Sequence, residues 1–242
     1  MTSPTINPND VSALVFDTFG SLVDWRGSLI EELSQFGAAR GLKVDWEAFT
    51  DAWRAGYQPA MEPIRKGERG FTKLDILHRE ILDRLVREFS VTGLSEADLQ
   101  HLNRGWHRLK PWPDVVAGMR RLKTKFIIGP LSNGNTSLLL NMAKNAGIPW
   151  DLVLGSDALR AYKPMPEAYL GMAAFLDLPP DRVMLVAAHN GDLAAARKCG
   201  LRTGFMSRPN EHGPNKTQDP VATEAWDVIG TDLQDIARQL GV

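Results

Sequence analysis

Asp17 stands directly after the apolar run VSALVF, residues 11–16. An ionised carboxylate taken out of water without a partner costs on the order of several kcal/mol or more. Asp17 is therefore either a turn residue just past a strand or a carboxylate the chain needs at that place. Three further polar groups follow apolar runs in the same way: Ser132 and Asn133 after KFIIGPL, Lys163 past DLVLGS, and His189 to Asp192 after VMLVAA. Taken singly, each has an ordinary reading. An Asp or Asn after a strand forms a turn or caps a helix, as Asp192 would before LAAARKCGL, and a lone lysine is usually solvated. Taken as an ordered set they point to chemistry, because open α/β sheets bind ligands beyond the carboxyl ends of their strands. A nucleophilic Asp must be ionised yet poorly hydrated, and an ammonium such as that of Lys163 opposes the desolvation that would protonate it. Backbone N–H groups of Thr18 and Phe19, with the small Gly20 permitting close approach, would hold a substrate carboxylate.

Elements able to position these residues are legible around them. Short runs at 12–17, 125–132, 151–156, 183–188 and 202–207 read as strands buried on both faces. Helical patterns separate the later ones: NTSLLLNMAKNAGI, PEAYLGMAAFLDL and GDLAAARKCGL. Strand and helix in alternation predict a doubly wound, Rossmann-like parallel sheet. More than a hundred residues separate the first two strands, far beyond what a crossover needs. The intervening GSLIEELSQFGAARG, WEAFTDAWRAGYQPAMEPIRKG, LDILHREILDRLVREF and SEADLQHLNRGWHRL each place apolar residues at helical spacing. The expected organisation is an α/β core of residues 1–24 and 111–242 with a helical cap, 25–110, closing at the proline-rich KPWPD.

Composition narrows the function classes. The 242 residues carry 28 Lys plus Arg against 29 Asp plus Glu, without a long like-charge block, so no nucleic-acid or membrane-surface footprint is present and a small-molecule partner is expected. Residues 1–10 lack the charged and apolar regions of a leader, and the single Cys199 leaves no internal disulfide framework, which favours a reducing cytoplasm. Cys199 itself is assigned no role beyond packing. A homodimer is left open.

FDTFGSLVD, LSNGN, AYKPMPEAY and VAAHNGDLAAARKCGL together resemble the four ordered motifs of the haloacid dehalogenase superfamily, and within it the type II L-2-haloacid dehalogenases. The resemblance implies Asp17 as nucleophile, Ser132 and Asn133 as substrate contacts, Lys163 as the nucleophile's partner and Asp192 as an aid to the second step. It implies hydrolysis of a short 2-haloacid through an aspartyl ester, with a helical cap over the site. His189, of ordinary pKa about 6.5, would suit activation of the hydrolytic water.

The departures from the superfamily matter as much. Its magnesium-dependent phosphatases carry a second Asp two residues after the nucleophile as general acid, where this chain has Phe19. An alkoxide leaving group wants a proton, whereas a halide leaves as a stable anion. His189 also stands where an acid would suit magnesium. The expectation is no cofactor, with magnesium only if the chain were instead a phosphatase or phosphonatase; a non-catalytic binding protein of the same fold is the third reading. In the cap, DAWRAGY resembles the dehalogenase segment whose Arg meets the departing halide, which gives that role to Arg54, with Arg26 as second candidate. Trp53, Tyr57 and Phe71 are expected pocket walls, although such spacing equally suits a cap core. The fourth motif carries Ala187 and His189 near positions where other dehalogenases have Ser and Asn.

Overall fold

The computed structural model describes residues 7–213, 219 and 221–242; of the segment read for a leader, residues 1–6 lie outside the described residues. In chain order its elements are β1 (Ala13–Phe16), β2 (Val23–Asp24), α1 (Trp25–Ala39), α2 (Trp46–Arg65), α3 (Leu74–Glu88), α4 (Glu96–Asn103), β3 (Lys110–Pro111), α5 (Val115–Leu122) and β4 (Ile127–Pro130). There follow α6 (Thr136–Ala146), α7 (Ser156–Leu159), α8 (Pro166–Phe175), β5 (Val183–Ala187), α9 (Asn190–Lys198), β6 (Arg202–Met206), β7 (Val228–Gly230) and α10 (Leu233–Gln239).

Five strands form a parallel sheet in the order β4-β1-β5-β6-β7. Alternate side chains enter two cores. Leu14, Phe16, Met184 and Val186 face α5, α6 and α10, while Ala13, Val15, Leu185 and Ala187 face α8 and α9. Helices on both faces explain why β1 and β5 read as unbroken apolar runs, buried throughout.

Two strand assignments change. The expected strand at 151–156 is not one: Asp151 N–H reaches Ile128 O (3.0 Å) but the Asp151 carboxylate takes the Ile128 N–H (3.0 Å), so the ladder stops after one backbone bond. The chain then turns so that Gly155 abuts Thr136, where a Cβ would sit 2.1 Å from the Thr136 nitrogen. The fifth strand is instead β7, a three-residue run too short to stand out in the sequence.

All four expected helices of the insertion form, between two short strands that pair antiparallel, Val23 opposite Pro111 and Asp24 opposite Lys110. Chain exit and return thus share one ribbon six residues past Asp17. Asp45 caps α2 through Ala48 N (3.0 Å), and Ser95 with Asp98 makes a reciprocal capping box on α4. The insertion's core is aromatic: Trp106 meets Trp25, Trp53, Phe19 and His78, with His78 stacked on it at 4.2 Å. Burial among these rings pushes His78 down to about 3, so it packs as a neutral ring. Helix packing and sheet packing therefore meet at Phe19, two residues after Asp17.

Trp106→Ala would open a large void at this junction. The expected loss is about 3–5 kcal/mol of stability, seen as a lower denaturant midpoint.

Candidate active site

Asp17 sits one residue past β1, its N–H still bonded to Val186 O (3.1 Å), so its position is fixed by the sheet. Thr18 O accepts from both Leu22 and Val23 N–H and turns the chain back at once. Within this turn Gly20 has φ +85°, a left-handed conformation that glycine adopts without strain.

The Asp17 carboxylate is buried, 6% exposed, and both its oxygens are engaged. Lys163 Nζ lies 2.9 Å from Oδ1; Ser21 Oγ donates to Oδ2 at 2.6 Å, and His189 Nδ1 lies 2.9 Å from the same oxygen. Burial pushes this carboxyl up, but the Lys163 charge, the His189 hydrogen bond and charge, and the Ser21 hydroxyl together hold it well below the usual range. Lys163 gains the complementary effect. Burial would lower its pKa, and Asp17 and Asp192 outweigh that and raise it.

Successive strand ends supply the rest. Asn133, after β4, accepts the Lys163 N–H on Oδ1 (2.7 Å) and so sets the start of the lysine's reach toward Asp17. Asp192 lies in the first turn of α9, and both its oxygens are taken: Oδ2 by Lys163 and Oδ1 by the Tyr169 hydroxyl (2.7 Å). His189 precedes α9, and its carbonyl accepts the Asp192 and Leu193 N–H groups, which leaves the ring to project into the site. Its Nε2 lies 2.8 Å from Glu211 Oε2. Burial lowers the His189 pKa, and the two flanking carboxylates more than reverse this, pushing it up to about 10. A ring bonded to a carboxylate at each nitrogen is an imidazolium. The expected neutral histidine, ready to take a proton from water, is not the resting state of this site.

A cavity of about 640 Å³ between the insertion and the sheet edge joins Asp17, Phe19, Asn133, Lys163, His189 and Asp192 with Arg54 and Tyr57 of α2. The Arg54 guanidinium lies 4.4 Å from the Tyr57 ring centre and 5.3 Å from that of Trp25, and its buried Nη1 has no hydrogen-bond partner among the described residues. Orphaned buried donors are rare in folded proteins, and this one faces a cavity.

Several expected residues lie elsewhere. Arg26 is held by Asp51 (2.7 Å) and Glu47 (3.2 Å) and does not line the cavity, so its charge is already met within the insertion. Trp53 is fully buried, with its indole N–H on His78 O (3.0 Å), and belongs to the aromatic core. Phe71 stacks on Tyr162 outside the cavity lining. Ser132 is buried and accepts the Gly134 N–H (3.3 Å), and Thr18 is buried with no hydroxyl partner among the described residues; neither residue is part of the lining. Gly20 admits a different neighbour from the one expected: a Cβ there would lie 2.0 Å from Glu211 Oε1.

Ser21, Tyr169, Arg65 and Glu211 were not singled out from sequence. Ser21 lies four residues past Asp17 and Tyr169 closes the segment AYKPMPEAY, so both stand in motifs already noticed. Arg65, which lines the cavity and donates to Lys163 O (2.6 Å), ends α2 and is the second of its two arginines. Glu211 follows β6 in RPNEHG, and its only sequence signal is an acid beyond a fifth strand end.

Fold and site together define a hydrolase on a doubly wound parallel sheet, its chemistry mounted on strand-end carboxylates beneath a helical insertion. The chain belongs to the haloacid dehalogenase-like hydrolases, whose family model matches residues 11–200. It is similar along its whole length to the crystal structure of a defluorinating L-2-haloacid dehalogenase, at 52% identity and TM-score 0.94, covering 100% of this chain and 99% of that one. A second L-2-haloacid dehalogenase structure matches at 49% identity and TM-score 0.92, over 95% and 98% of the two chains. Haloacetate dehalogenase H-2 of Moraxella sp. (strain B) is 30% identical over 82% of this chain and 86% of its own length.

Two outcomes follow. In Lys163→Met, the Asp17 carboxyl should titrate inside the accessible pH range, whereas in the parent it stays ionised as far down as the fold survives; difference infrared spectroscopy against Asp17→Asn reads this. Gly20→Ala should cost about 1–3 kcal/mol through its backbone alone and more through the Glu211 clash, so adding Glu211→Ala should recover part of the lost stability.

Proposed function

We propose that this protein is a hydrolytic dehalogenase of short 2-haloacids, releasing halide and a 2-hydroxy acid through an ester on Asp17. One observation carries the reading: the ionised Asp17 carboxylate faces the same cavity as the Arg54 guanidinium, whose buried Nη1 has no hydrogen-bond partner among the described residues. An anionic nucleophile paired with a waiting cation suits displacement of a group that leaves as an anion. Phe19 supports the same choice, since the lining offers an apolar ring at the position where a leaving alkoxide would need an acid.

Oδ1 of Asp17, held by one donor, is the better nucleophile than Oδ2, held by two. It attacks Cα, the carbon–halogen bond breaks, and the halide departs toward Arg54, whose weakly hydrated fork of donors suits it. The amides of Thr18 and Phe19, for which no acceptor occurs among the described residues, are placed to hold the substrate carboxylate, with Asn133 beside them. Charge favours a substrate of this kind. Asp17, Asp192 and Glu211 face Lys163, His189 and Arg54, and Asp51, Asp219 and Arg65 line the same cavity. Esterification removes the Asp17 charge just as the substrate brings a carboxylate, so the net charge of the site is unchanged once halide has gone.

No metal is needed in this scheme. The Lys163 ammonium already lies between the Asp17 and Asp192 carboxylates, and His189 is protonated, so the donors a magnesium ion would require are taken by bound cations. The helical insertion, residues 25–110, acts as a cap that carries Arg54 and Tyr57. It is tied to the core by the Arg65–Lys163 bond, by Tyr162 Oη on Thr72 O (2.6 Å) and by the Trp25 indole on Glu211 (3.1 Å).

Halide release from 2-chloro- and 2-bromopropionate, followed with and without exhaustive chelation, tests the reading. Equal rates in both conditions are expected; activity abolished by EDTA and restored by magnesium would move the chain to phosphoryl chemistry. Arg54→Ala should lower kcat by about 10²- to 10³-fold, the usual cost of one preorganised donor to developing charge. Arg54→Lys should recover only part of it, because a point charge does not reproduce the fork. A raised KM with kcat kept would place Arg54 on the substrate carboxylate instead.

A further inference from the structure

His189 lies between two carboxylates, Nδ1 on Asp17 Oδ2 at 2.9 Å and Nε2 on Glu211 Oε2 at 2.8 Å. Glu211 is 2% exposed, and its other oxygen accepts the Trp25 indole N–H at 3.1 Å. A buried acid of this kind is expensive unless it is paired, and the fold has made room for it: the left-handed Gly20 leaves a space where any Cβ would meet the Glu211 carboxylate. Neither nitrogen of His189 has a lone pair to offer. The ring is therefore fixed as a double donor, with one N–H aimed at the oxygen of Asp17 that does not attack.

We infer that Glu211 is a positioning residue that keeps His189 doubly protonated, so that Nδ1–H serves as an oxyanion donor, and not as a base, when water cleaves the aspartyl ester. This rests on the covalent reading above. In the ester, Oδ1 is bonded to substrate and Oδ2 is the carbonyl oxygen, still facing Ser21 Oγ and His189 Nδ1. Water adds to Cγ and its proton passes to Asp192, while the carbonyl electron pair moves onto Oδ2 between these two donors. The pair returns as the Cγ–Oδ1 bond breaks, and Asp192 gives its proton to the departing alkoxide, which leaves as the 2-hydroxy acid. The remaining acid proton on Asp17 goes to solvent. Donors placed where charge develops, and already oriented, are the strongest single contribution a site makes to such a step.

The groups around the ring agree with this role. Facing it are Asp17 past β1, Lys163 before α8, Asp192 on α9 and Arg54 on α2; Glu211 and His212 follow β6. Asp24 and Asp51 act on Glu211 and His212, while Arg65 on α2, Asp219 and the phenols of Tyr57 and Tyr169 complete the ionisable lining. When Asp17 becomes an ester its charge disappears, and Glu211 is the one carboxylate still hydrogen-bonded to the ring. It is in that intermediate that its charge matters.

Glu211→Gln tests the role, since an amide oxygen can still accept from Nε2 without carrying charge. Halide release in a single turnover should slow less than ester hydrolysis, because Glu211 does not touch the attacking oxygen. Ester hydrolysis should slow about 10- to 100-fold at pH 9, and its fall on the basic side should move down by about 1–3 pH units, the shift expected from losing a close opposite charge. The sign is decisive: an imidazolium donor is lost as pH rises, whereas a base gains activity as it rises. Nitrogen-15 shifts of His189 give a second reading that needs no turnover, with both ring nitrogens protonated in the parent at pH 8. A basic limb unmoved by Glu211→Gln, hydrolysis that rises with pH through this range, or a neutral ring at pH 8 would each overturn the proposal. An unlabelled Asp17 after one turnover of the parent protein in ¹⁸O water would overturn the covalent reading first.

Discussion

The ion pair between Asp17 and Lys163 is the constraint around which the molecule is arranged. Two oppositely charged groups, each under a tenth exposed, cost several kcal/mol apiece to desolvate, on the order expected for buried ions. Their attraction offsets this only with further hydrogen bonds, and each strand end contributes one. β1 presents the carboxylate, Asn133 after β4 anchors the lysine backbone, and the segment after β5 supplies His189 and Asp192. Glu211, beyond β6, closes the chain of charges on the far side. A parallel sheet brings these sites together because all its strands end at the same edge, which no sequence-local device could do.

Helical insertion and sheet solve different parts of the problem. The sheet holds the nucleophile ionised, while α2 brings a guanidinium and aromatic rings over the cavity. Because the insertion leaves and returns through the β2–β3 ribbon, its hinge lies close to the nucleophile's own turn; the Trp112 indole N–H bonds Gly20 O at 2.8 Å and couples the two.

How much of this the sequence disclosed depends on how each residue signals. Asp17, Asn133, His189 and Asp192 follow buried apolar runs, where a polar group needs a reason to be; Lys163 follows an apolar run that is not a strand, and all five line the cavity. Helices of the insertion were legible from apolar spacing alone. Arg26 and Trp53 misled because spacing on a helix does not say whether a face meets the cavity or another helix; Arg26 met two acids and Trp53 met His78. The strand at 151–156 was lost to one Asp151 carboxylate that replaced a backbone acceptor. Glu211 lies in an irregular segment without periodicity, and the protonation of His189 depends on it, so an ordinary histidine pKa was the wrong guide to a ring with two carboxylate partners.

Whether the Asp17 carboxylate itself attacks carbon is settled most directly by oxygen isotopes. One turnover of excess enzyme with a 2-haloacid in ¹⁸O water, followed by digestion and mass spectrometry, separates the two routes. Attack by Oδ1 and hydrolysis at Cγ place the heavy atom in the peptide bearing Asp17 and leave the first 2-hydroxy acid unlabelled. Label in that first product, with an unlabelled Asp17, would mean that water displaces the halide directly and would contradict the covalent role built on the Asp17–Lys163 pair.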